Sequence, residues 1–267
     1  MSHAKPLNLT TYLQELSPRR VVNLDMKFDP EGLPPAFKPT IAFRSVVERF
    51  NYAVEVGTSL ALITGAHGAG KTTAFKYIAH NHDALYWEAR PSYRPQHLLG
   101  DIAQRLGVNA GQGWHMQTSI VVDQLYANPR RFLVDEAQRL NYEGMDLLKY
   151  LADQSGSLFM LSASPSLEKR IDKWPDIASR CNVRARISAM GSDEMLSLYD
   201  DSGFSRESLL EIHRISEGVM RVVQAILREI DIHLKLLSEE TGRPYTREGL
   251  APGHVQVFAE KVVGSRV

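Results

Sequence analysis

The spacing of apolar and polar residues changes character several times along this chain. From Ile41 to Val56 the apolar positions Phe43, Val46, Val47, Phe50 and Val54 recur along one face of a helix. Ser59–Thr64 (SLALIT) is instead a short unbroken apolar run, the pattern of a parallel strand covered on both sides. Thr72–His80 returns to helical spacing through Phe75, Ile78 and Ala79. The exchange continues, predicting strands at Ala84–Ala89, Phe132–Val134, Leu158–Leu161 and Asn182–Ile187. Between them, helices are expected at Pro95–Leu106, Met116–Tyr126 and Tyr142–Asp153. Such alternation predicts an α/β core with a parallel, doubly wound sheet over residues 41–190. Past Gly191 the period-2 and run signals stop. Asp193–Asp200, Glu207–Ser216, Val219–Ser238 and Gly253–Val263 read as helices, a C-terminal α-helical lid subdomain over 191–267. Residues 1–40 are polar and proline-rich and read as an extended arm, with at most one short helix around Thr10–Leu16.

The junction between the first strand and the next helix carries chemistry. Gly65, Gly68, Gly70, Lys71 and Thr72 fit the spacing GxxxxGK(S/T), and His67, Ala69 and Thr73 complete the loop. Glycines permit positive φ, so that backbone N–H groups can close around phosphate oxygens. Lys71 is placed to reach the β- and γ-phosphates, and the Thr72 hydroxyl to hold Mg²⁺. The motif has weight only between a strand and a helix, and both are predicted here. A glycine turn without function is the bland alternative.

"RRFLVDEAQ", Arg130–Gln138, supplies a second part. An apolar strand ending in Asp135 puts a carboxylate beside Mg²⁺, and Glu136 can polarise the attacking water. Two acids at a helix start would also suit the helix dipole without any catalysis. The next strand ends in "LSASPSLEKRI", where Ser164 or Ser162 is a candidate to touch the γ-phosphate, and spacing does not separate them. "WPDIASRCNVRAR" follows with Arg180, Arg184 and Arg186. One of these arginines can reach a neighbouring subunit's γ-phosphate, Arg180 being the first choice because it ends a helix before a strand. In the lid, "GVMR" puts Arg221 just inside a helix start, where it can close on bound phosphate.

Composition narrows the partners. The 267 residues are 43% hydrophobic, enough for a real core, and Lys plus Arg (31) balances Asp plus Glu (31). Bulk charge therefore gives no support to nucleic-acid binding, and any DNA contact has to come from a local patch. One cysteine, Cys181, excludes an internal disulfide and reads as a small buried hydrophobe. The first 16 residues lack the apolar centre of a secretory signal, and no apolar stretch approaches the ~18 residues of a membrane span. A cytoplasmic protein with no membrane contact is expected.

Taken in order, the P-loop, "VDEA", the polar strand tip, "ASR" and "GVMR" resemble the AAA+ ATPase family over roughly residues 33–240. Within it, "PPAF", "SLALITGAHGAGKTTAFKYIAH" and "ARPSYRPQHLLGDIAQRLGV" look most like the phage Mu B, TniB and TnsC group, which selects target DNA for transposition. The resemblance implies ATP and Mg²⁺ as cofactors, a homo-oligomer (filament or ring) on duplex DNA, and a DDE transposase as partner. DNA would be held through its phosphates without sequence preference, with Arg90, Tyr93 and Arg94 in "EARPSYRPQ" as the local candidates. Trp114 and His115 lie in another candidate loop and read as packing residues. The first 40 residues hold no evident helix-turn-helix, a departure from the phage protein. Strand-tip Ser, where Asn or Thr is expected, is another. An ExeA-type secretion ATPase and a replication loader share the core but ordinarily add a membrane segment or a winged helix. A P-loop small-molecule kinase would not need "VDEA" and "GVMR" together.

Overall fold

The computed structural model describes Leu33, residues 37–109 and residues 113–264. The helix expected around Thr10–Leu16 lies outside these residues. The described elements begin with α1 (Ile41–Glu55), β1 (Leu60–Gly65), α2 (Lys71–Asn81), β2 (Ala84–Glu88), α3 (Pro95–Arg105) and α4 (Trp114–Ala127). They continue with β3 (Arg131–Asp135), α5 (Tyr142–Ser155), β4 (Leu158–Ala163), α6 (Pro165–Ile171), α7 (Pro175–Ala178) and β5 (Cys181–Ile187). Four helices close the chain: α8 (Ser192–Leu198), α9 (Arg206–Ser216), α10 (Met220–Thr241) and α11 (Pro252–Val263).

All five strands are parallel and lie in the order β2-β3-β4-β1-β5. Position in that order explains the sequence patterns. The inner strands β1 and β4 are buried at every residue, because helices cover both faces of the sheet. The edge strand β5 alternates, burying Cys181, Val183 and Ile187 while Asn182 and Arg186 face outward. Charged side chains on an exposed edge discourage pairing with a further strand. One face of the sheet packs on α3 to α7, with Phe132 and Phe159 stacked at 4.6 Å between ring centres. The other packs on α1 and α2 through Phe43, Val46, Phe50, Phe75 and Ile78.

Local chemistry sets the helix ends. The Thr40 hydroxyl caps α1 by accepting from the Phe43 N–H at 3.1 Å, and Asn141 caps α5 through the Gly144 N–H at 3.0 Å. The prediction for α4 started two residues late. Trp114 and His115 form its first exposed turn, Trp114 being 36% accessible, so they are not packing residues as the sequence led us to expect. The short helices α6 and α7 were not delineated by spacing, since seven and four residues carry too little periodicity.

The helices after β5 share a separate apolar cluster around Met195, Leu209, Ile212, Ile226, Ile230 and Val255. This cluster is tied to the chain that follows β5 and to the chain that leads into α1. The Met190 N–H donates to the Gly218 carbonyl at 2.9 Å. A Cβ at Gly218 would lie 2.0 Å from the Met190 carbonyl oxygen, and φ there is +69°, so only glycine fits the junction. On the opposite side Lys38 donates to the Leu198 carbonyl at 2.6 Å and pairs with Asp201, while the Ile41 N–H donates to Glu194 at 2.6 Å.

Candidate nucleotide site

Functional side chains gather where parallel strands release the chain toward helices, at the carboxyl ends of β1, β3 and β4. The loop after β1 carries Gly68 and Gly70 at φ +79° and +98°, turning successive backbone N–H groups toward one cavity. That cavity is lined by His67, Gly68, Ala69, Gly70, Lys71, Thr72 and Thr73, and by Glu136 and Arg221. Gly65 ends β1 at the cavity's base, where it packs against Ile187 of β5. Most of the residues expected from spacing to touch nucleotide are thus brought together.

Lys71 is buried, and its ammonium donates to the carbonyls of Gly65 and Ala66 at 2.7 and 2.8 Å. Burial pulls its pKa below the ordinary lysine value, Asp135 and Glu136 oppose that fall, and Arg221 adds to it. The Thr72 hydroxyl donates to Asp135 Oδ2 at 2.6 Å across 63 residues of sequence. These two hard oxygens are the kind of ligand Mg²⁺ takes when phosphates and water supply the rest. Among the described residues no group of three or more His, Cys, Asp or Glu is placed to hold a metal ion. Tyr86 also reaches Asp135, at 3.4 Å, and burial together with that carboxylate raises its pKa.

Glu136 follows Asp135 in the left-handed region at φ +53°, unusual for a residue with a side chain. Its N–H donates to Asp135 Oδ1 at 2.9 Å, and its carboxylate accepts from Gln138 Nε2 at 2.6 Å. The two serines separate. Ser162 is fully buried and its hydroxyl has no hydrogen-bond partner among the described residues. It stands one position beyond the Val134–Leu161 rung, as Asp135 does in β3. Ser164 stands at the N-cap position of α6 without a side-chain capping bond, its hydroxyl 2.8 Å from that of Ser166 and its N–H donated to Gln138 Oε1 at 3.1 Å.

The lid reaches the loop directly. A Cβ on Gly68 would lie 2.8 Å from Val219 and 3.2 Å from Arg221, so glycine here both adopts positive φ and admits the start of α10. Phe37, Lys38, Thr40, Phe43, Met220 and Gln224 form the remaining wall of the cavity. No motif spacing singled them out. Their contribution comes from the chain before α1 meeting the lid, a long-range event, although Phe37 belongs to the quoted "PPAF".

Arg180 opens β5 at the far end of the sheet, its carbonyl accepting from the Leu60 N–H at the start of β1. It pairs with Asp153 at 2.9 Å. Arg184 pairs with Asp172 at 2.6 Å and Arg186 with Glu168 at 2.8 Å. Arg90 and Arg94 are exposed on the loop after β2, and Arg90 pairs with Asp101 at 2.8 Å. Tyr93 corrects the expectation. Its side chain is only 3% accessible and its hydroxyl donates to Asp101, so it supports the loop from beneath and does not face a DNA surface. Packing against Leu98 and its neighbours in the core outweighed the polar reading of the segment.

Residues 54–171 match the family model described as an AAA domain. Over 141 residues the chain is 27% identical to the Mu-like prophage FluMu DNA transposition protein B of Haemophilus influenzae, covering 51% of this chain and 48% of that protein. It is 21% identical over 161 residues to a potential ATP-binding protein of Staphylococcus aureus, covering 53% and 59%. The chain therefore spans about half the length of the curated relatives it matches. Among solved structures, CDC6P from Pyrobaculum aerophilum superposes with a TM-score of 0.66 at 16% identity, covering 90% of this chain and 72% of that one. Such a likeness shows the fold: a parallel P-loop sheet with a C-terminal helical region.

Proposed function

We propose, from its similarity to an AAA domain over residues 54–171 and to a Mu-like transposition protein B, that this chain is an ATPase that assembles on duplex DNA to direct a DDE transposase to its target. In this reading residues 41–190 form the nucleotide-binding core, 191–267 the lid and 1–40 an arm, and the protein works in the cytoplasm. ATP sits with its phosphates on the loop after β1, and Lys71 holds the β- and γ-phosphates. Thr72 and Asp135 hold Mg²⁺, which would supply charge neutralisation at the transferred phosphoryl group. Glu136 takes the proton of the attacking water, the strand-tip serine, Ser164 or the buried Ser162, orients the γ-phosphate, and Arg221 brings the lid onto it.

The observation that carries assembly is the placement of Arg180. It lies at the amino end of the sheet, whereas the phosphate loop lies at the carboxyl end of β1. Six residues of strand at ~3.3 Å each put the two about 20 Å apart. Arg180 cannot serve its own nucleotide and is suited to a neighbour's, so that each nucleotide is shared between copies. Arg186, paired in register with Thr64 at the phosphate end of β1, lies on the wrong side for that task. Arg90 and Arg94 would clamp DNA phosphates, independent of sequence.

Imaging by negative-stain electron microscopy tests this. The full chain mixed with long duplex DNA should form filaments or rings with ATP or a slowly hydrolysed analogue and disperse with ADP. Monomers that ignore DNA in every nucleotide state would refute the proposal. A transposase of the DDE class should then bind the assembled form in preference to the free chain.

A further inference from the structure

Gln138 lies three residues past the end of β3 and touches two parts of the site at once. Its Oε1 accepts from the Ser164 N–H at 3.1 Å, and its Nε2 donates to Glu136 Oε2 at 2.6 Å. The amide's orientation follows from its partners. A backbone N–H can only donate and an ionised carboxylate can only accept, so oxygen must face Ser164 and nitrogen must face Glu136. The backbone beneath is also held: Arg170 donates to the carbonyls of Gln138 at 2.6 Å and Leu140 at 3.0 Å. Glu136 itself leaves its strand in the left-handed region, so neither ladder nor helix fixes its side chain. Arg139 approaches the same carboxylate only to 3.7 Å.

We propose that Gln138 is the positioning residue that aims Glu136, tying its carboxylate to the strand tip at Ser164 so that the group acting on water and the loop beside the γ-phosphate move together. The proposal rests on Glu136 being the base. Occupying Oε2 with the amide leaves Oε1 to face water, and it removes one rotational freedom that would otherwise be lost on reaction. Charged and titratable groups around Glu136 are Asp135 beside it, Lys71 on α2, Arg139 on the following turn and Tyr86 on β2, with Lys38, His67 and Arg221 lining the same cavity.

Two variants test this in the full chain: Gln138→Ala, which removes the tie, and Gln138→Glu, which keeps its size. ATP hydrolysis with Mg²⁺ and duplex DNA is followed over a range of ATP concentrations, and binding of a fluorescent ATP analogue is titrated in parallel. Unchanged nucleotide affinity is expected for both. Gln138→Ala should lower kcat by about tenfold to a hundredfold. In Gln138→Glu the side chain at 138 can no longer donate to Glu136 and sets a second carboxylate against it. There kcat should fall at least as far as in Gln138→Ala, with KM near wild type, because an acceptor of the same size cannot replace the amide's donor. Wild-type kcat in both variants would overturn the inference. So would a Gln138→Glu enzyme that keeps wild-type kcat while Gln138→Ala is slow, or loss of nucleotide binding in both, since each marks a merely structural role. A wild-type chain that binds ATP and never hydrolyses it would overturn the ATPase reading, and this inference with it.

Discussion

At the scale of single residues, Asp135 and Glu136 are adjacent acids with unequal surroundings. Asp135 is buried and engaged by Thr72 and Tyr86, and Glu136 projects into the cavity. Replacing Glu136 by Gln keeps the shape and removes the base. Phosphate release should fall by about 10²- to 10⁴-fold while ATP affinity holds. Lys71→Ala should instead abolish nucleotide binding itself, measured by titration with a fluorescent analogue, because the loop loses its only buried ammonium. Tyr93 belongs at this scale too. Tyr93→Phe leaves the buried Asp101 carboxylate short of a donor, and urea unfolding should register a loss of about 1–3 kcal/mol. A direct contact with DNA would predict weaker DNA binding with unchanged stability, the opposite result.

Among the elements, the loop from Ala89 to Arg94 is tied to the nucleotide site more tightly than its exposure implies. The Ala89 N–H donates to the Asp135 carbonyl at 2.8 Å, and Arg139 donates to the Ala89 carbonyl at 2.6 Å and to Glu88 at 2.8 Å. Arg90 is bonded to Asp101 on α3, so the loop is a braced turn and not a loose tether. If DNA phosphates are contacted here, removing those contacts should weaken binding evenly across sequences. Each of Arg90→Ala and Arg94→Ala should reduce the slope of log K against log salt by about one. Fluorescence anisotropy with two unrelated duplexes over a salt series reads this. An unchanged slope in the double variant would place the DNA surface elsewhere on the chain.

For the whole molecule, the issue is whether one chain holds a complete site. Arg180 and Lys71 lie at opposite ends of the sheet, so a shared site makes their losses complementary between copies. Arg180→Ala alone should lower kcat by about a thousandfold or more, the scale of an arginine acting on a neighbour's phosphoryl group. Mixed with Lys71→Ala, which keeps Arg180, it should recover part of the lost hydrolysis, and the recovery should rise with protein concentration. A mixture as inactive as its parts would mean that Arg180 acts within its own chain or not at all. Its present partner Asp153, an exposed pairing at 2.9 Å, would have to release it on assembly. Exposed pairs of this kind are worth little in water, so that release is an easy step.

What the amino-acid order determined by itself was whatever depends on near neighbours. The phosphate loop is a matter of eight consecutive positions, the strands β1 and β4 of unbroken apolar runs, and α1 of a helical stripe. Each is set by backbone geometry and solvent within one or two turns of chain, and each lies where the spacing put it. Tertiary structure alone decided the rest, because it depended on which distant segments became neighbours. The order β2-β3-β4-β1-β5 brings Thr72 to Asp135 and separates Arg180 from the phosphates, and no local pattern contains that order. Tyr93 and Trp114 exchanged their expected places for the same reason: burial is a property of what packs above a residue, not of its own side chain. Gln138 was in plain view within "DEAQ", yet its task appeared only when β4 laid the backbone of Ser164 against its amide.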